Sequence, residues 1–396
     1  MTLNLFLMTS GIFIIPMQEE FGWTRRALSI GPVALFVNCL VLPFAGAIID
    51  RFGARRAAIG GLLMICAAYP LLAAAPANSW FLYSVAASLG LASPISSVAM
   101  LKGVATWFRK NSGLAFGLTS SGDSLVSALA LPFLAHIVSD FGWRMGYLTL
   151  LGLVITLGLP MVIGWFRERP QVMMKGSTLE HESLEATQFH PDVSGHSGVS
   201  LRDALQDGRF WLLVIALSAA AVPIGGFLNQ LQPLLASRGF TPTGAASVGT
   251  VFALAIGLSR IVAGKLLDYL NPPIVAAVCL ALPALGAVLL AITAHSETSW
   301  FLAVAAAFLL GIGAGAELDF IAFFTMRLFG LRQFSVIYGT GGLASGGATA
   351  IGGFLFASIF DKIGNYNVAV YLGVVMFLCA AMVMLMIKVM PLEKVV

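Results

Sequence analysis

Five charged residues stand inside long apolar runs of this chain: Lys102, Asp123, Arg260, Glu317 and Asp319. A charge at the centre of a membrane helix costs at least about 2.5–3.5 kcal/mol, so each is a functional candidate by default. Arg260 stays ionised at any working pH and presents parallel N–H donors, the geometry that grips a carboxylate. The competing reading is an ion pair with Glu317 or Asp319 that holds helices together. Asp123 lies about 16 Å, at ~1.5 Å per residue, from the charged turn at Arg109 to Ser112, which places it near mid-membrane. A carboxyl there can exchange a proton as water access alternates, or touch the substrate; the alternative is a structural partnership with Lys102 or Arg260.

Lys102 sits one turn before Trp107, where its long stem either snorkels to the surface or faces a central cavity. Glu317 and Asp319 are two apart and point about 200° away from each other on a helix. The expected arrangement pairs one with Arg260 and the other with Arg327 or the neighbouring turn at Asp50; the alternative is a proton-relay role. With all five ionised the sum is −1. Setting Glu317 and Asp319 aside leaves +1, a field suited to one small anion. Asn229, Gln230 and Tyr338 are uncharged polar groups that either complete a binding site or hydrogen-bond helix to helix.

Those residues need long apolar elements to carry them. The 396 residues are 59% apolar and 10% charged, whereas a water-soluble domain is about 25% charged. Backbone polar groups in lipid must be satisfied internally, so only helices or closed barrels span it. The apolar stretches here approach the ~20 residues of a membrane helix rather than the ~10 of a barrel strand. The predicted class is therefore an all-α membrane protein with twelve transmembrane helices. The first span is short: Met1 to Ile15 covers about 22 Å of helix at ~1.5 Å per residue, against a hydrocarbon core of ~30 Å. The expectation is a truncated or misassigned start.

The pattern repeats. Gly46-Ala-Ile-Ile-Asp50 returns as Gly264-Lys-Leu-Leu-Asp268, Ser79-Trp80-Phe81-Leu82 as Ser299-Trp300-Phe301-Leu302, and Asp140 as Asp361, at offsets of 218, 220 and 221 residues. Three anchors in one order at one spacing predict two pseudo-symmetric six-helix bundles, over 1–166 and 209–396. The polar segment 167–208 reads as a linker ending in a short surface helix. Fifteen lysines and arginines fall on one set of turns and five on the other. By the positive-inside rule, the linker and the C-terminus are cytoplasmic.

Enzyme chemistry finds no support. Cys39, Cys66, Cys279 and Cys379 sit singly in apolar runs, with no spacing that a metal site would need. No His-Glu-x-x-His or Gly-x-Ser-x-Gly occurs. No cofactor, metal or nucleic acid is expected; the expected partners are a small-molecule substrate, the lipid bilayer and protons.

The run Gly46-x-x-x-Asp50-Arg51-x-Gly53-x-Arg55-Arg56, with its echo at Gly264 and Asp268, resembles the loop signature of the major facilitator superfamily. That resemblance implies the major facilitator fold and a latch at these residues that breaks and reforms as the halves rock. Trp107 to Gly122 is similar to a signature of the monocarboxylate and oxalate/formate porter group, through Phe108, Lys110, Leu114, Ala115, Gly117 and Gly122. The resemblance implies that Arg260 meets a substrate carboxylate. The chain departs from that group in having no lysine near Thr9 and Ser10, or in the eleventh span. The resulting expectation is a monomeric secondary transporter of a small organic anion in a bacterial inner membrane. It would work by alternating access, with a proton or by anion exchange. The rival is proton-driven efflux of a hydrophobic or cationic compound, with Asp123 holding the cation. Substituted-cysteine labelling is expected to reach the Arg55 turn and the middle linker from the same side; labelling from opposite sides would contradict the twelve-span topology.

Overall fold

A computed structural model describes residues 2–22, 31–108, 111–166, 198–292 and 297–387. Twelve long helices and one short one account for almost all of them. The first half holds α1 (Thr2–Phe21), α2 (Gly31–Phe52), α3 (Ala54–Ala73), α4 (Ser79–Trp107), α5 (Ser112–Phe141) and α6 (Trp143–Gly164). After the short α7 (Leu201–Gln206) come α8 (Gly208–Ser237), α9 (Pro242–Tyr269), α10 (Pro272–Ala291), α11 (Glu297–Phe329), α12 (Phe334–Ile363) and α13 (Asn367–Leu385). Ten of these are long and apolar enough to cross a membrane by length and composition. The other two long helices, α1 and α5, pack against each other in the first half. The first helix runs on through Pro16 to Phe21, past the Ile15 limit of its apolar stretch.

Local chemistry sets the boundaries. Asn78 caps α4 by accepting from the Trp80 N–H at 3.0 Å, and the Thr241 hydroxyl caps α9 from the Gly244 N–H at 3.1 Å. Gly142 (φ 83°) turns the chain from α5 into α6, and Gly364 (φ 77°) repeats that turn between α12 and α13. A side chain would be strained at either. Inside α6 a π-helical stretch, Val154–Gly158, lies just before Pro160, whose missing N–H breaks the regular ladder.

The halves repeat each other's packing. In the first, α4 lies against α2 and α3; in the second, α11 lies against α9 and α10. A polar tie recurs at the face away from the arginine-rich turns. Glu20 takes two hydrogen bonds of 2.7 Å from Arg144 and one of 2.6 Å from the Trp143 indole, joining α1 to α6. Its counterpart is Arg238 donating to Asn367 at 3.2 Å, joining α8 to α13.

The short helix α7 rides on the second half. Ser200 and Asp203 form its capping box, and the Ser200 hydrogen bonds hold the Asp203 carboxyl below its ordinary range. Val199 donates to the Phe329 carbonyl at 2.9 Å, and the Leu201 N–H to Gln333 Oε1 at 2.5 Å. Ala204, Phe210, Phe329 and Ile337 make a small core beneath. Residues 167–197 of the expected linker lie outside the described set.

Candidate functional site between the halves

The halves meet chiefly through two helix pairs, α2 with α12 and α5 with α9, with smaller contacts of α5 with α11 and of α4 with α12. Both main contacts run from the arginine-rich face inward. The first turn of any helix leaves N–H groups without intrahelical partners and carries about half a positive charge. At the start of α12 those groups find Asp50 of the other half, which accepts from Val336 N at 3.1 Å and Ser335 N at 3.4 Å. At the start of α5 they find Asp268, which accepts from Gly113 N and Leu114 N, both at 2.8 Å. Each aspartate thus caps a helix belonging to the opposite half.

Glycines allow the approach. A Cβ added at Gly264 would overlap the Gly113 carbonyl, and one at Gly113 the Gly264 carbonyl; Gly46 stands in the same relation to Ser335. Backbone meets backbone there, as small residues permit in membranes. Phe116 of α5 and Phe334 of α12 stack across the seam, rings 6.5 Å apart and 3° from parallel.

Lys102, a candidate for the binding site, donates to Asp50 Oδ1 at 2.8 Å and so stands beside this cap. Arg327 lies within electrostatic reach of Asp268, its guanidinium 5.3 Å from the Phe323 ring. Arg55 ties α3 to the end of α6 through the Ile163 carbonyl at 2.7 Å. Gly53 (φ 88°) makes the turn between α2 and α3, while Arg51 and Arg56 are exposed beside it.

Deeper in the seam lies a second constellation. Arg260 of α9 donates through Nη1 to the Ser120 carbonyl of α5 at 2.9 Å. The hydroxyl of the same Ser120 donates to Asp319 Oδ1 of α11 at 2.6 Å. Glu317 accepts from the Ser345 hydroxyl of α12. Among the described residues Arg260 makes no ion pair within 4.0 Å; Ser120 bridges it to Asp319, Glu317 is held by Ser345, and the Arg260 charge acts on both carboxylates. That differs from the direct pairing expected, because each carboxylate has a hydroxyl closer at hand. Arg260 Nε and Asp319 Oδ2 are buried without a hydrogen-bond partner. Such orphaned groups are costly and call for an explanation.

Tyr338 is buried in the same cluster, within electrostatic reach of Arg260, Glu317 and Asp319. Asp123 lies on α5 one turn beyond Ser120, and its side chain is outside the described set. The two amides of α8 have protein partners: Asn229 donates to the Gly225 carbonyl at 2.8 Å, and Gln230 accepts from the Tyr366 hydroxyl at 3.1 Å. Neither joins the Arg260 cluster by a hydrogen bond. Ser120 and Ser345, which hold the buried carboxylates, were not singled out by charge or spacing.

The sequence model of the Major Facilitator Superfamily matches residues 1–352. An uncharacterized 38 kDa protein of Thermoproteus tenax is 26% identical over 355 residues, covering 85% of this chain and 80% of that one. Human monocarboxylate transporter 11 is 29% identical over 324 residues, covering 79% of this chain and 65% of that one, so the chain spans less than two thirds of this relative's length. Among solved structures, the transporter FucP in the outward conformation, from E. coli, superposes with a TM-score of 0.71 at 13% identity, over 98% of this chain and 97% of that one.

The latch has a direct test. Hydrogen bonds to a charged group contribute about 1.5–3 kcal/mol, so Asp50→Asn with Asp268→Asn is expected to raise alkylation of a cysteine placed at the buried Ser335 about tenfold or more. An unchanged rate would mean that the two carboxylates do not hold the seam.

Proposed function

The chain belongs to the major facilitator superfamily, and on that premise we propose that it carries a small monocarboxylate across the membrane by alternating access. It is a transporter and not an enzyme. The observation that carries the substrate class is Arg260: a guanidinium at the seam with one N–H donor buried and unused. A carboxylate satisfies such a group better than water does, through charge-assisted hydrogen bonds. Arg260 is the primary contact in this reading, with Tyr338 and Asp123 beside it. The resemblance to a monocarboxylate transporter over most of the chain supports the same class.

The latches supply the gate. Closed as they are on the arginine-rich face, they shut that side while the substrate site would open to the other. Rocking of the halves would break both caps together and expose Arg260 to the arginine-rich side, which the positive-inside rule makes cytoplasmic. The anion moves with a proton or in exchange for another anion, through a monomer in a bacterial inner membrane. Two buried carboxylates near Arg260 are the observation that favours the rival, proton-driven export of a cationic compound.

Uptake by the full chain in proteoliposomes separates the two. A panel of acetate-sized, aromatic and dicarboxylic acids at two pH values is expected to give at least one transported acid. Arg260→Gln is expected to weaken its binding about tenfold or more, since the lost contact is charge-assisted. A carrier that moves no acid, or binds its substrate equally well without Arg260, would point to the cation exporter.

A further inference from the structure

The two buried carboxylates of α11 differ in one respect that decides their roles. Glu317 is held by Ser345 of α12, within its own half, so that bond survives any rocking of the halves. Asp319 is held by Ser120 of α5, in the other half, so that bond exists only while the arginine-rich face is shut. Ser120 also accepts from Arg260, so one residue of the first half holds both the cation and the anion of the second.

We propose that Asp319 carries the coupled proton and that Ser120 reads its charge state across the seam. This rests on Arg260 being the site of the anion. When Asp319 is ionised, the Ser120 hydroxyl donates to a carboxylate, a bond about twice as strong as its neutral counterpart. A proton taken from the solvent of the opposite face makes the carboxyl neutral and weakens the tie between α5 and α11. The proton thereby favours opening of the arginine-rich face, because a ligand shifts an equilibrium by its differential affinity for the two states. Released there, it leaves an ionised Asp319 that re-forms the tie as the empty carrier closes.

The unused valences of the cluster agree. Asp319 Oδ2 and Arg260 Nε are both buried and unpaired. A proton on Oδ2 makes that oxygen a donor, and a substrate carboxylate accepts from both groups. Charge agrees as well: ionised Arg260, Glu317 and Asp319 sum to −1, Asp123 adds a further negative charge beside them, and a proton on Asp319 lowers the repulsion of an anion by one charge. Among the described residues the groups that face Asp319 are Arg260 from α9, Tyr338 from α12, Glu317 on its own helix and Ser120 from α5; Asp123, whose side chain lies outside the described set, stands on α5 one turn from Ser120. The helices α8 and α10 bring no charge, since neither 210–237 nor Pro272–Ala291 contains a charged residue.

Proteoliposomes with radiolabelled lactate, benzoate and oxalate as probes test this through two readouts, accumulation driven by an imposed pH gradient and counterflow without one. Wild-type chain is expected to show both for at least one acid. Asp319→Asn should keep counterflow and lose gradient-driven accumulation by about tenfold or more, the usual size of a coupling between sites. Glu317→Gln, whatever its effect on rate, should leave accumulation dependent on the imposed pH gradient. Ser120→Ala should flatten the pH profile, and Ser120→Thr should restore it; this pair decides the matter where Asp319→Asn does not fold. Gradient-driven accumulation that persists in Asp319→Asn, or a pH profile that Ser120→Ala leaves unchanged, would overturn the assignment. So would wild-type counterflow with no gradient-driven accumulation. Failure of wild-type chain to move any of the acids would overturn the anion reading itself, and this inference with it.

Discussion

Helix N-termini inside a membrane protein need partners for their first N–H groups, and here two of those partners come from the other half of the chain. Asp50 caps α12 and Asp268 caps α5, so the halves complete each other's helices. Each cap is a charge-assisted pair of hydrogen bonds, and each bond of that kind contributes about 1.5–3 kcal/mol. Two such caps are strong enough to select one arrangement of the seam. They are weak enough for a transport cycle to break, since switching a population from 1:99 to 99:1 takes about 5.5 kcal/mol. The glycines at 46, 113 and 264 matter because a carboxylate of short reach can cap a helix only when the backbones nearly touch.

Duplication supplies a symmetric scaffold, and the chemistry sits where the symmetry fails. At the offset of 218 residues that relates Asp50 to Asp268, Arg260 corresponds to Leu42. At the offset of 220 that relates Trp80 to Trp300, Glu317 and Asp319 correspond to Ser97 and Ala99, and Lys102 to Ala322. The second half has gathered three charges around the seam where the first is uncharged. The first half contributes Lys102 to the latch and the Ser120 hydroxyl and carbonyl to the cluster. The buried cluster at the seam thus joins Arg260, Glu317 and Asp319 of the second half to the Ser120 hydroxyl and carbonyl of the first.

Much of this was readable before the structure. The repeated Gly-x-x-x-Asp marks its function because the motif needs both a close approach and a cap acceptor, two constraints a sequence displays at fixed spacing. Arg260, Glu317 and Asp319 stand out because ions in apolar runs are costly. The destination of Lys102 was not readable, since its distance from Asp50 depends on how α4 leans against α2. Nor were Ser120 and Ser345: hydroxyls are common in membrane helices and bond locally to their own backbone in most cases, as Thr119 does to the Ala115 carbonyl. The ties of Glu20 to Arg144 and Arg238 to Asn367 join spans five positions apart in order, which no local pattern reveals.

If the two aspartate caps hold the arginine-rich face shut, the opposite face moves in the contrary sense when they are removed. Paired spin labels measure this directly, one pair at the exposed Arg56 and Lys265 on the arginine-rich face and another at the exposed Asp140 and Lys362 on the other. Replacing Asp50 and Asp268 by Asn should lengthen the first distance and shorten the second. Two distances that stay fixed, or that lengthen together, would contradict a rocking carrier latched by helix caps.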